Sequence, residues 1–268
     1  MTVMTKYPEG TFSWADLSTT DPYAAKQFYG QIFGWTLEDM PAGDAATYTM
    51  AQLDGRYVAA LSQMREDQRA QSIPPYWQSY VTVYDLDERA ERVESLGGRL
   101  LAPPFDVLTS GRMAVAQDPT GATFALWEPR DHQGAGLVNE PGSLSWNELL
   151  TNDTEAARRF YTELFGWTAE DSDMGSMIYT QFNNDDRAAG GMMKIAPEWG
   201  EVPPNWMVYF AVDDCDATVD NIQGLGGRVM APPTDIPQVG RFAAVADPQG
   251  ANFSIIALSS DISQPPSS

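Results

Sequence analysis

Two carboxylates stand out by their company. Asp16 follows Trp14 by two residues in TFSWADLSTT, and Glu148 follows Trp146 by two residues in SLSWNELLTN. Both segments alternate as β-strands do, and residues two apart on a strand share a face. If Ala15, Leu17 and Thr19 face a core of helices, then Trp14, Asp16 and Ser18 face the other way. The corresponding set in the second segment is Trp146, Glu148 and Leu150. A carboxylate withdrawn from water beside an aromatic ring is a candidate general base with a raised pKa, or a counter-charge for a cationic ligand. The competing expectation is a structural ion pair with an arginine, Arg112 or Arg241. Asp16 and Glu148 are the candidate catalytic residues.

That the pair occurs twice is part of a longer pattern. DPYAAKQFYGQIFGW from Asp21 matches DTEAARRFYTELFGW from Asp153, an offset of 153 − 21 = 132. LGGRLLAPP from Leu96 matches LGGRVMAPP from Leu225, an offset of 225 − 96 = 129, and Gly111-Arg112 and Asp118-Pro-Thr-Gly recur at 240 and 247 with that same offset. A repeat on this scale reads as a duplicated structural unit. The units are expected over 9–129 and 141–257, joined by a Gly- and Asn-containing linker at 130–140 and followed by a polar, Pro-rich flexible tail at 258–268.

Each unit itself divides in two. After the Trp14 strand, Asp21 is placed to cap a helix, and Ala25, Phe28, Tyr29, Ile32 and Phe33 follow helical spacing up to a stop at Gly34. Strands are expected at Thr47–Gln52 and Tyr57–Gln63. The pattern then restarts with YWQSYVTVYDLD, a helix carrying Ala90, Val93 and Leu96, and strands near Arg99–Leu101, Arg112–Gln117 and Thr123–Glu128. The order β-α-β-β-β thus occurs four times along the chain.

With these marks in place, the chain resembles the vicinal oxygen chelate superfamily, which holds glyoxalases, bleomycin-resistance proteins and extradiol dioxygenases. A strand, a capping Asp and a helix ending in FY…FGW open its module, and LGG…APP and a DP.G turn close it. Within the family, the chain is most similar to two-domain actinobacterial members of hydroxylase and glyoxalase-like type. The resemblance implies an α+β fold: four βαβββ modules forming two tandem domains with curved, cup-shaped mixed sheets. It also implies where a metal would sit. The family's first His falls seven residues before the capping Asp, at Trp14 and Trp146. Its second falls at Gln78 and Met207, and its Glu at Ala125 and Ser254. None of these can serve as an imidazole or carboxylate ligand, and the chain's one histidine, His132, lies in the linker. The expectation is therefore no metal and no cofactor. The ligand-binding wall is expected from Trp14, Gln78, Tyr80 and Trp127 in the first cup, and Trp146, Met207, Tyr209 and Ser254 in the second. The two tryptophans either stack on a ligand or plug the space it would fill.

Composition bounds the partners. A net charge of −21 sets the surface against nucleic acid, whose phosphates it would repel. No apolar stretch approaches the ~20 residues of a membrane span. A lone cysteine, Cys215, excludes an internal disulfide and has no His beside it for activation. The expectation is a cytoplasmic monomer, its tandem copies replacing a homodimer, or a weak homodimer. Its partner is a small molecule. The function expected is metal-free binding of an aromatic or cationic metabolite, for drug sequestration or in support of natural-product metabolism. The alternative is a metal-independent tailoring enzyme of hydroxylase or lyase type with a cup carboxylate as base, and a lesser one is a metal-dependent glyoxalase or dioxygenase.

Overall fold

A computed structural model of the chain describes residues 2–42, 47–175 and 177–259. Most of the expected tail, from residue 260 on, lies outside them. The first copy contributes strands β2 (Phe12–Thr19), β3 (Thr36–Pro41), β4 (Thr47–Leu53), β5 (Arg56–Gln63), β6 (Tyr76–Thr82), β7 (Arg99–Val107), β8 (Gly111–Gln117) and β9 (Thr123–Pro129), preceded by a short β1 (Thr2–Val3). Its helices are α1 (Pro22–Phe33), α2 (Glu66–Ala70) and α3 (Leu86–Ser95). After β10 (Leu137–Val138), the second copy follows with β11 (Leu144–Thr151), α4 (Thr154–Phe165), β12 (Thr168–Asp173), β13 (Ile178–Asn184), β14 (Arg187–Lys194), β15 (Asn205–Ala211), α5 (Cys215–Gly224), β16 (Arg228–Ile236), β17 (Gly240–Ala246) and β18 (Asn252–Leu258).

The two sheets are open and mixed. The first runs β3-β4-β5-β2-β6-β9-β8-β7, and the second runs β12-β13-β14-β11-β15-β18-β17-β16, with β10 and β1 added beside β11. Pairing between modules therefore occurs within each copy: β2 meets β6 and β11 meets β15, both antiparallel. The strand expected at Arg99–Leu101 continues to Val107, passing Pro103 and Pro104 by register shifts at Leu100/Ala102 and Ala102/Phe105. An edge strand can absorb prolines that a central one cannot. The expected linker is also partly strand, since β10 pairs with β11.

Local chemistry sets the helices. Asp21, Asp85, Asp153 and Asp214 each cap a helix, accepting from the backbone N–H three residues on at 3.0 Å. Gly34 and Gly166 close α1 and α4 in the left-handed conformation, with φ of 70° and 74°.

The copies are joined through their helical faces. One core cluster mixes Leu17, Phe28 and Tyr29 of the first copy with Phe210, Ile222 and Phe253 of the second. The other mixes Val81, Val93 and Phe124 with Phe160, Tyr161 and Trp206. Buried polar ties run through both. The Tyr29 hydroxyl donates to Asp247 Oδ2 at 3.0 Å while accepting from Trp77 Nε1. The Tyr161 hydroxyl donates to Asp118 Oδ2 at 2.9 Å while accepting from Trp206 Nε1. The FY…FGW and DP.G motifs are thus the two sides of one inter-copy joint, made twice. The closing tryptophans belong to it as well: Trp35 Nε1 donates to the Gly142 carbonyl and Trp167 Nε1 to the Gly10 carbonyl.

Candidate functional site

With the helical faces committed to the joint, the opposite face of each sheet is the cup. In the first cup, the register places Trp14 against Tyr80 and Asp16 against Gln78, with Tyr80 beside Ala125. In the second, Trp146 meets Tyr209, Glu148 meets Met207, and Tyr209 lies beside Ser254. The eight expected ligand-binding residues and the two carboxylates therefore gather on the cup faces of their own sheets. Trp14, Tyr80 and Trp127 belong to one buried cluster on the first cup's floor.

Each carboxylate is held by tyrosines. The Tyr48 and Tyr80 hydroxyls both donate to Asp16 Oδ2 at 2.8 Å, and Trp14 Nε1 donates to the Tyr48 oxygen at 3.0 Å. In the second copy, Tyr209 donates to Glu148 Oε1 at 2.7 Å and Tyr179 is a second partner. Trp146 Nε1 donates to the Tyr179 oxygen at 3.1 Å. The ion pairs expected from Arg112 and Arg241 do not form at these carboxylates. Arg112 pairs with Asp87 and Glu128, and Arg241 with Asp216 and Asp235. Period-two geometry explains the miss: Met113 packs toward the first cup, so Arg112 beside it points to the helix face, where α3 presents Asp87.

Tyr48 and Tyr179 are the residues that strand reading overlooked. A signal was present, since Tyr48-Thr49 recurs as Tyr179-Thr180 at an offset of 131.

Withdrawal from water dominates the electrostatics. Burial pushes the Asp16 carboxyl up to about 6, against the opposing pull of the Tyr80 and Tyr48 hydroxyls. It pushes Glu148 up to about 7, against Tyr209 and Tyr179. The four tyrosines are raised by burial and by the carboxylate beside them, so they remain donors at neutral pH. The arrangement can hold a proton near neutrality, or accept a hydrogen bond from a ligand.

The Glu148 chain has one more methylene than Asp16, and its neighbour has one fewer carbon. Asp16 sits beside Ala60 in parallel register, whereas Glu148 sits beside Gly191. A Cβ on Gly191 would come within 2.0 Å of the Tyr179 hydroxyl oxygen and 3.0 Å of Trp146 Nε1. Gly191→Ala should therefore expel Tyr179 from Glu148 and cost about 1–3 kcal/mol, as overpacking does. Urea unfolding with near-ultraviolet circular dichroism checks this, and an unchanged aromatic signature would contradict it.

The two cups differ in cover. The linker crosses the first: the Trp127 indole donates to the His132 carbonyl at 2.9 Å, Ala135 N to the Ser13 carbonyl, and Gly136 N to the Tyr57 carbonyl. The His132 ring lies edge-on to Trp14 at 4.5 Å and 5.9 Å from Trp127. Burial lowers its pKa to about 4, and its Nε2 has no hydrogen-bond partner among the described residues. Trp14 and Gln78 are buried, at 3% and 6% exposure, and Trp146 and Met207 are partly open, whereas the carboxylates run the other way, with Asp16 partly open and Glu148 buried at 5%.

The residues at the family's metal positions do not fit a metal. They are indole, amide and methyl groups in the first cup, and indole, thioether and hydroxyl in the second. Among the described residues, no group of three or more His, Cys, Asp or Glu could hold an ion. Cys215 is buried and its thiol is pushed up to about 11, which suits packing rather than attack. No helix among the described residues is long and apolar enough to cross a membrane.

Comparison with known proteins agrees on the architecture. The model of the Glyoxalase/Bleomycin resistance protein/Dioxygenase superfamily matches residues 11–126 and again 143–255. The chain is 44% identical to the glyoxylase-like protein CFP32 of Mycobacterium tuberculosis over 94% of this chain and 96% of that one. It is 37% identical to the anthracycline biosynthesis protein DnrV of Streptomyces peucetius, over 95% and 96%. Among solved structures, it superposes on the Mn(II)-bound glyoxalase of Novosphingobium aromaticivorans with a TM-score of 0.63 at 16% identity, covering 92% of this chain and 82% of that one. It superposes on 2,2',3-trihydroxybiphenyl 1,2-dioxygenase of Sphingomonas wittichii with a TM-score of 0.65 at 13% identity, covering 92% and 90%. At such identities the structural likeness is one of fold.

Proposed function

Because the chain belongs to the Glyoxalase/Bleomycin resistance protein/Dioxygenase superfamily, we propose that it keeps the family's cup and uses it without the metal, to bind a small aromatic or cationic molecule. The observation that carries this reading is the substitution of one device for another. Where the family has imidazole and carboxylate ligands, both copies have a tryptophan, and beside it a carboxylate held by two tyrosines. Aromatic walls with a few convergent polar groups suit a flat organic ligand. Likeness to an anthracycline biosynthesis protein supports an accessory role in natural-product metabolism. The protein acts on this reading as a cytoplasmic monomer, with functional units at 9–129 and 141–257.

A thermal-shift panel tests it. Aromatic and cationic metabolites should raise the melting temperature, because a ligand that binds only the folded state stabilises it. Manganese, iron(II) and zinc ions should not. A shift with metal alone and none with any organic compound would overturn the reading.

One observation favours a second reading, a metal-independent tailoring enzyme. Carboxyls raised to about 6 and about 7 are matched to proton abstraction near neutral pH. Turnover should then disappear in Asp16→Asn and Glu148→Gln while both variants stay folded. Full turnover in both would remove the carboxylates from the chemistry.

A further inference from the structure

We infer that the groove between α1 and α5 is a second ligand site, which takes a guanidinium group carried on a short alkyl arm. It lies at the rim of the inter-copy joint, among the helices, and is independent of the cup-binding reading.

The groove has a volume of about 330 Å³. It is lined by Ile32 and Phe33 at the end of α1, by Val212, Asp213 and Asp214 before α5, and by Thr218 within α5. Phe33 and Val212 are buried and make its base apolar, while the two aspartates are exposed at its mouth. None of the described residues lining it is basic. Asp214 is committed to capping α5 through the Ala217 N–H, which leaves Asp213 as the groove's own charge. The last carbonyls of a helix have no partner within it and carry the negative end of its dipole. Both the helix end and the aspartate therefore favour a cation.

The equivalent joint holds such a cation, supplied by the chain itself. There α3 packs on α4 as α5 packs on α1. Arg89 Nη1 donates to the Leu164 carbonyl, and Arg92 Nε donates to the Glu163 carbonyl at 3.1 Å, so two guanidinium groups close on the end of α4. Arg89 Nη2 also donates to Glu9 Oε1 at 2.9 Å. The offset of 132 carries Leu164 and Glu163 back to Ile32 and Gln31, and the offset of 129 carries Arg89 and Arg92 on to Thr218 and Asn221. Thr218 is too short to replace Arg89, and its hydroxyl donates to the Asp214 carbonyl at 2.6 Å instead. The acidic partner is kept although the arginine is not. Glu9 becomes Pro141, but Tyr84 becomes Asp213, so the carboxylate returns on the α5 side. A helix end, a carboxylate and apolar flanks without their arginine make a receptor for one. The planar, weakly hydrated guanidinium suits carbonyl acceptors between apolar walls better than a compact ammonium does, and its fork of donors can reach a carbonyl and a carboxylate together.

Calorimetric titration of the full chain with agmatine, and with putrescine, tests the inference. Both carry two positive charges on the same alkyl chain, so general attraction to a surface of net charge −21 is common to them. Only agmatine has a guanidinium. Wild type should take one equivalent of agmatine and bind putrescine about tenfold more weakly, the scale of a charge-assisted hydrogen bond lost at the helix end. Thr218→Arg places a guanidinium in the groove as Arg89 does in the other joint, and should weaken agmatine by about tenfold. Asp213→Asn changes an exposed residue and should weaken it by about three- to fivefold, as loss of a surface ion pair does. A cation held in a cup would be indifferent to Thr218→Arg, so undiminished binding in that variant, folded, would overturn the groove as the site. If Thr218→Arg does not fold, Asp213→Asn decides, and an unchanged affinity there overturns it. Equal binding of putrescine would overturn the guanidinium class. No binding of agmatine would overturn the site altogether, and would leave cup binding standing.

Discussion

Asp118→Ala is expected to destabilise the protein by about 3–5 kcal/mol, because it leaves several buried donors unpaired at once and each costs about 1–3 kcal/mol. Asp118 Oδ1 accepts from Thr120 N, Thr120 Oγ1, Gly121 N and Ala122 N at 2.8–3.0 Å, so it organises the turn between β8 and β9. Its Oδ2 accepts from Tyr161 of the other copy. Alanine would strand these donors together, and unpaired buried donors are costly. Asp247 occupies the same place with Tyr29, so Asp247→Ala should match it within about 1 kcal/mol. Tyr161→Phe should lose less, about 1–3 kcal/mol, because the turn survives and only the bonds to Asp118 and Trp206 go. Urea unfolding at neutral pH orders the three. If Asp118→Ala fell within 1 kcal/mol of wild type, the joint would not be what holds the copies together.

The second large effect is a pH dependence centred on Glu148. Its carboxyl titrates near 4.5 in the unfolded chain and at about 7 in the fold, because burial outweighs the tyrosine hydrogen bonds. A raised carboxyl pKa means that the folded state binds the proton more tightly. The penalty for burying the charge is thus absent below about pH 4, grows between the two pKa values, and is complete above about pH 7. At ~1.4 kcal/mol per tenfold change in proton affinity, it reaches roughly 3 kcal/mol. Glu148→Gln has no charge to bury. The stability gap between variant and wild type should therefore move by about 2–3 kcal/mol in the variant's favour between pH 5 and pH 9. Asp16→Asn should show the same sign with its window ending nearer pH 6. Urea unfolding at pH 5, 7 and 9 measures this, and a gap constant with pH would mean that Glu148 does not titrate there.

Much of this architecture was legible in the residues. The matched FY…FGW and DP.G segments disclosed the duplication, though their reason, the Tyr29–Asp247 and Tyr161–Asp118 ties, required the fold. Alternation put Asp16 with Trp14 and Glu148 with Trp146, because one strand carries both members of each pair. Tyr48 and Tyr179 escaped because they reach the carboxylate from another strand, about thirty residues on, across β5 or β14. The arginine expectation failed for the converse reason. Gly111-Arg112 repeats as clearly as any motif, but one residue of phase sends Arg112 to the helix face. The return of His132 over Trp14 left no mark in the sequence either, since a Gly-containing linker reads the same whether it spans or seals.

Native mass spectrometry of protein purified without chelator tests most directly whether the family's cup is used here without the family's metal. The expected mass is that of the bare chain, or that mass plus one small organic adduct. A mass excess of one or two divalent ions per chain would contradict it, and would require metal ligands that neither cup displays.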